Sequence, residues 1–182
     1  MPVAAGGFEQ AYNAQAAVDT KSLLVVSTTV AQSPTDRDQV VPILEQLVAL
    51  PESLGKVERM LTDTGDFSGK NVEACEKANI EPLIAVTREG RQGDWRERFT
   101  EPEAIAEDAT PVERMKHRLK TKAGRAAYAL RKQTVEPVFG IIKSVLGFRQ
   151  FSLRGLESVA GEWQLVCLAW NLKRIASLRL GA

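Results

Sequence analysis

Two acidic residues stand where carboxylate chemistry would need them. Asp63 closes a segment, Val57 to Thr62, that reads as a short strand, and opens the turn Asp63-Thr64-Gly65-Asp66. Glu136 is the single acid between Arg114 and Arg154, a stretch that holds eleven Lys and Arg. A carboxylate at a strand end and another on a packed helix are the hard oxygen ligands that Mg²⁺ or Ca²⁺ take. Two such cations about 3.5–4 Å apart clamp the attacking and leaving oxygens of a phosphodiester. On a helix, Lys132, Glu136, Phe139 and Lys143 fall on one face. Cations there would hold a DNA backbone beside the acid. The competing reading is structural: Asp63 caps a turn, and Glu136 pairs with Lys132. On spacing alone the structural reading is the stronger. Other chemistries are poorly supplied. With only Cys75, Cys167 and the lone His117, neither a Cys/His zinc site nor a disulfide framework is expected.

Charge sharpens the contrast between the two ends. The net charge is +1, yet residues 1–85 carry 6 Lys/Arg against 12 Asp/Glu, and residues 86–182 carry 18 against 11. A basic stretch such as 114–154 neutralises phosphates and releases counterions. From charge alone, a solvated helix face explains it better. The 182 residues suit one domain with a real core. The absence of a signal peptide and of any span-length apolar run points to the cytoplasm.

The elements that must position these residues follow from periodicity. Tyr12 to Val18 alternates and reads as a strand; Asp19-Thr20-Lys21-Ser22 is a polar turn; Leu23 to Val30 is rich in β-branched residues and reads as a second, antiparallel strand. Thr35 and Asp38 resemble a capping box before a helix with Val40, Leu44, Leu47 and Val48 on one stripe, where Pro42 predicts a kink. A strand over 57–62, a helix from a Ser68 cap to about Ala78 with Asn79 as its stop, and a strand over 82–86 form a strand–helix–strand unit. Together these predict one α/β sheet. Residues 87–111 read as a loop or insertion, and 112–178 as helical: one helix to about Lys120, one from about Gly124 to Val145 kinked or broken at Pro137, and one from Leu156 to Leu178. Trp163 and Trp170 read as core anchors.

These segments carry a family resemblance. Gly6-Gly7-Phe8-Glu9-Gln10-Ala11-Tyr12-Asn13-Ala14-Gln15 through Asp19 resembles the tyrosine–asparagine–glutamine block of bacterial insertion-sequence DDE transposases. Leu61-Thr62-Asp63-Thr64-Gly65-Asp66-Phe67-Ser68 resembles that family's second-aspartate block, and Val135-Glu136-Pro137-Val138-Phe139-Gly140-Ile141-Ile142-Lys143 its glutamate block. Tyr128 and Arg131 fit the Tyr/Arg/Glu/Lys signature, and Gly147 to Phe151, Arg154 to Glu157 and Ala169 to Leu172 resemble its C-terminal tail. The blocks fall in family order and cover almost the whole chain.

The resemblance implies a ribonuclease H-like mixed sheet flanked by helices. It implies three carboxylates on two Mg²⁺ or Mn²⁺, with DNA (element ends and target) as partner and a homo-oligomer as the active form. Asp63 would be the second carboxylate and Glu136 the third. Tyr128, Arg131, Lys132, Lys143, Arg149 and Arg154 would contact DNA. Two departures stand out. Asp66 occupies a position that is usually aromatic. The first catalytic strand, which precedes the Gly6 block in relatives, is expected to be lacking, so that the domain over 1–182 reads as N-terminally truncated and Asp19 becomes the fallback carboxylate. The function implied is metal-dependent DNA cleavage and strand transfer, in a copy expected to be weak or inactive. The alternatives are a non-catalytic DNA-binding remnant or partner of full-length transposase, and a ribonuclease H-like nuclease with other nucleic-acid substrates.

Overall fold

A computed structural model describes residues 11–33, 35–86 and 100–180. The chain separates into two compact units, one formed by residues 1–47 with 132–182 and one by residues 48–131.

In the first unit, β1 (Asn13–Val18) and β2 (Val25–Ala31) pair antiparallel from Asn13↔Ala31 to Val18↔Val25, with an irregularity at Ala17/Val18. The alternation read from the sequence is used: Ala14, Ala16 and Val18 pack on the core. The turn places Leu23 at φ 61°, a conformation uncommon for a branched side chain. Backbone bonds between Asp19 and Leu23 and Leu24, each 2.9 Å, hold it there. Helix α1 (Val40–Val48) follows a short 3-10 turn and buries Val40, Ile43, Leu44 and Leu47. Val48, expected on that stripe, is 60% exposed, and Ile43 takes its place. Pro42 is accommodated near the start of helix α1. It is the third residue of α1, where backbone N–H groups lack intrahelical partners anyway. Thr35 and Asp38 do bond each other at 3.2 Å, but the residue at the N-cap of the 3-10 turn is Asp36, whose side chain makes no capping bond.

The core of this unit is Val25, Val138, Ile142, Trp163, Cys167 and Trp170. Val138 and Ile142 come from α4 (Lys122–Ser144), which runs unbroken through Pro137. The cost of that proline is one lost backbone bond to the Gln133 carbonyl. Gly147, at φ 75°, follows the helix. Helix α5 (Leu156–Leu180) buries Val159, Trp163, Cys167 and Trp170 at helical spacing. It is also hydrogen-bonded to the hairpin. Trp163 Nε1 donates to the Gln15 carbonyl (2.9 Å), Trp170 Nε1 to Leu23 (2.8 Å) and Arg174 Nε to Ser22 (2.7 Å). The Asn171 amide meets Val25 twice, accepting from its N–H and donating to its carbonyl, both at 2.8 Å. Asn171 thus stands where a neighbouring strand would stand on β2.

In the second unit, β3 (Arg59–Thr62) and β4 (Glu81–Ile84) are parallel, joined by α2 (Gly69–Lys77). The Asn71 N–H donates to the Ser68 hydroxyl (3.1 Å) at the N-cap of α2, and Asn79 in the left-handed conformation (φ 56°) ends it. Helix α3 (Pro111–Lys120) starts on a Thr110/Glu113 capping box with Pro at its first position and packs Met115 against Val72 and Ile84. Between α3 and α4 the chain turns at Thr121, and Gly124 approaches so closely that a Cβ there would lie 1.8 Å from the Arg118 carbonyl oxygen.

The chain is a mixed α/β protein. A single sheet was expected; the described strands instead form two two-stranded sheets, one antiparallel and one parallel. Strand pattern and turn length set which neighbours in sequence pair, and these pairs form. Nothing in that pattern specifies a partner for the second edge of each pair, and at Val25 a side-chain amide occupies it. Within the expected loop, residues 100–110 carry neither helix nor strand, while 87–99, like the Gly6–Gln10 part of the first block, lie outside the described residues.

Candidate active site

Asp63 follows β3 directly, at the carboxyl end of a parallel strand, where α/β sheets carry their ligand chemistry. It caps one 3-10 turn, Thr64–Asp66. Its carboxylate accepts from the Thr64 N–H, and Asp66 returns the bond, its Oδ2 accepting from the Asp63 N–H at 3.2 Å. The Asn71 side chain, at the start of α2, donates to the Asp66 carbonyl at 2.8 Å. The unusual acid at position 66 therefore locks the loop. Helix α4 grips the same strand end. The Tyr128 hydroxyl donates to the Thr62 carbonyl (3.1 Å), and Arg131 Nη1 lies 3.4 Å from Asp63 Oδ2. The Arg131 guanidinium also stands 5.8 Å from the Tyr128 ring centre. Its Nε is buried without a hydrogen-bond partner among the described residues. Even so, the Asp63 side chain stays 63% exposed, while that of Arg131 is only 19% exposed.

Glu136 is exposed on α4, five residues beyond Arg131. Among the described residues it forms no ion pair, so the pairing with Lys132 weighed above is not made. Lys132 and Lys143 are exposed too. Phe139, expected on their face, is half-buried with its ring 5.6 Å from Trp163. A large apolar ring beside Val138 and Ile142 gains more from the core than from a phosphate-facing surface. Arg149 and Arg154 are exposed and donate to nearby backbone carbonyls of Lys143, Phe151 and Leu153.

Asp19 sits in the β1–β2 turn, where its Oδ2 accepts from the Ser22 N–H (2.7 Å) and hydroxyl (2.6 Å). Burial pushes its pKa up, but the Ser22 bonds outweigh this and hold it below the ordinary value. The basic stretch is likewise divided. Arg114 and Arg118 close on Glu76 at 2.6 and 3.0 Å, and Arg118 reaches Glu81 at 3.6 Å. Burial raises the Glu76 pKa, and the bonds from Arg114 and Arg118 more than reverse it. Burial pushes the Cys75 thiol up to about 11, helped by Glu76, and the Cys167 thiol up to about 12, which disfavours the thiolate at both.

The sequence reading missed Asn171, Gln46 and Glu162 as organising residues. Gln46 Oε1 accepts from the Ser27 hydroxyl at 2.6 Å, and Glu162 accepts from the Ser152 and Leu153 N–H groups. The one signal was a polar side chain inside an otherwise apolar helical run, clearest for Asn171 between Trp170 and Leu172.

No group of three or more His, Cys, Asp or Glu among the described residues is arranged to hold a metal ion. No described helix is long and apolar enough to cross a membrane.

The molecule is thus an α/β protein with an exposed carboxylate at the carboxyl end of a parallel strand and a basic helix braced against it. The profile of the transposase DDE domain family matches residues 3–172. The chain belongs to that family, whose members are transposases and act on DNA. No curated protein and no solved structure matches it.

Proposed function

We propose that the chain serves DNA transposition, as a DDE transposase catalytic domain of ribonuclease H-like fold that cleaves and joins the ends of an insertion sequence. Asp63 is the observation that carries this reading: an exposed carboxylate on a backbone fixed from both sides, inside a chain of this family. Asp63 and Glu136 are assigned as the second and third carboxylates of the set. The donor chemistry at Asp63 suits a divalent cation, being hard oxygen at an open position. Asp63 and Glu136 would hold Mg²⁺ or Mn²⁺, which when bound supplies Lewis-acid activation of the attacking hydroxyl and of the phosphodiester. Arg131 balances the Asp63 charge and, with Tyr128, fixes where that carboxylate stands. The exposed Lys132, Lys143, Arg149 and Arg154 supply phosphate contacts, which position DNA without reading its sequence. Asp19 is assigned to the turn, since its carboxylate is committed to Ser22.

The test is Mg²⁺- or Mn²⁺-dependent strand transfer on pre-cleaved element ends. Asp63→Asn is a clean probe, because Asn caps a helical turn as well as Asp does and only the charge is lost. Weak activity in the wild type that disappears altogether in Asp63→Asn and in Glu136→Gln is expected. Wild-type chain that retains DNA but never transfers strands would instead favour the non-catalytic binding remnant.

A further inference from the structure

The positive charge set against Asp63 comes from the chain itself. Among the described residues Asp63 makes one ion pair, with Arg131, and that pair is left open. Arg131 Nη1 stands 3.4 Å from Asp63 Oδ2, beyond the about 2.7–2.9 Å of a closed charge-assisted bond. The guanidinium does not fork onto the carboxylate, and its Nε is buried with no hydrogen-bond partner among the described residues. A pair built for stability would close the first gap and satisfy the second. Arg131 is anchored elsewhere. Its side chain is 19% exposed, and its guanidinium lies 5.8 Å from the ring centre of Tyr128, whose hydroxyl is bonded to the Thr62 carbonyl. The Asp63 side chain, by contrast, is 63% exposed. An ion in solution therefore reaches Asp63, but meets a largely buried positive charge beside it.

That charge decides what Arg131 does to a cation. It attracts the carboxylate and repels a dication from the same carboxylate. Held this close, it lies well inside the Debye length of about 8 Å at physiological salt, so screening does not remove it. Burial and the Tyr128 ring hold it as well as Asp63 does, so the charge stays when Asp63 takes another partner. Asp66 does not offset it at the carboxylate, because its Oδ2 is spent on the Asp63 N–H.

We propose that Arg131 sets the divalent-cation affinity of Asp63 and holds it low, by keeping a fixed positive charge beside a carboxylate that remains open. This rests on the reading of Asp63 as a cation ligand and adds to it a residue that opposes the cation. Arg131 is a positioning residue here: it acts on the cation through Asp63 and by its charge.

Mn²⁺ titration of the full chain without DNA, read from the electron paramagnetic resonance signal of the free ion, tests it. Asp63→Asn defines the binding that depends on Asp63. Arg131→Gln and Arg131→Met remove the charge and retain different parts of the side chain's packing. Each should bind Mn²⁺ about fivefold or more tighter than the wild type, with the circular dichroism spectrum unchanged. Arg131→Lys keeps the charge and should stay within about twofold of the wild type. Lys122→Gln should do the same, because it removes a charge nine residues away, about 13 Å along α4 and beyond the Debye length. In the Asp63→Asn background Arg131→Gln should change nothing. The sign of the effect separates this role from a structural one, since loosening the loop would weaken binding instead. Mn²⁺ binding that depends on Asp63 but is tightened by neither neutral variant would overturn the role of Arg131 and leave the reading of Asp63 intact. Wild type and neutral variants that bind no better than Asp63→Asn would overturn the reading of Asp63, and the role of Arg131 with it.

Discussion

Replacing Asn171 by Leu tests whether a single side-chain amide serves as a strand edge. In the native chain that amide satisfies both backbone groups of Val25 at 2.8 Å, and Val25 is only 7% exposed. Leucine matches asparagine in size and suits a helix, so the helix itself should lose nothing. The loss falls on β2, where one N–H and one carbonyl are left unpaired. Each buried unsatisfied group costs about 1–3 kcal/mol. The Asn171 side chain is half-buried, so some water reaches the site and a total of about 2–4 kcal/mol is expected. The flanking bonds from Trp170 to Leu23 and from Arg174 to Ser22 remain, so α5 should stay docked. Urea unfolding gives the total, and hydrogen exchange locates it: the Val25 amide should lose protection while Thr29, within the β1–β2 pairing, keeps it. Asn171→Asp should be comparably harmful, keeping an acceptor for the N–H but setting a charge against the carbonyl. A Leu variant within about 0.5 kcal/mol of wild type, the scatter of an ordinary surface change, with Val25 still protected, would refute the reasoning.

Gly124→Ala should destabilise the second unit by at least about 2 kcal/mol, because the new Cβ meets a backbone oxygen at 1.8 Å and the turn at Thr121 must open; thermal or urea unfolding measures it. Glu76→Gln should lower stability at neutral pH and matter little in acid. The folded-state pKa of Glu76 is depressed, so its contribution is present above the ordinary value of 4.5 and is lost as pH falls through the lower folded value; unfolding curves at pH 7 and at successively lower pH should converge. DNA binding should be sequence-tolerant and fall steeply with salt, and Lys132→Ala with Lys143→Ala should reduce the slope of log K against log salt by up to about 2, measured by fluorescence anisotropy; an affinity indifferent to salt would contradict it.

How much of this was legible in the sequence depended on whether a feature was local. The β1–β2 hairpin, the strand–helix–strand unit, the Ser68 cap, the Asn79 stop and the Thr110/Glu113 start all rest on neighbours a few residues apart, and all formed. Pro42 and Pro137 both lie inside continuous helices, since the cost of a proline depends on its place in the turn and on what surrounds the helix. The pairing of strands into one sheet failed for a different reason: a strand's period says which face is buried, but not what bonds its edges. At the site, the turn at Asp63 was readable as turn chemistry, whereas its bonds to Tyr128 and Arg131 span more than 60 residues and left no local trace.

The polar residues around Asp63 also show how positioning and chemistry are divided. Tyr128 spends its hydroxyl on the Thr62 carbonyl, Asp66 its carboxylate on the Asp63 N–H, and Asn71 its amide on the Asp66 carbonyl. Each of these bonds ends on backbone within four residues of one another, so the strand end is held from α2 and from α4 at once. A carboxylate that must meet a cation needs such a frame, because a displacement of about 1 Å at a reacting group is felt strongly in rate. Arg131 differs from the other three in bonding the Asp63 side chain itself, at a long 3.4 Å and from a largely buried position. A pair so exposed on the acid side contributes little to stability, about 1 kcal/mol or less. Its larger effect is on position: it fixes where the Asp63 carboxylate stands while leaving that side chain mostly open to solvent.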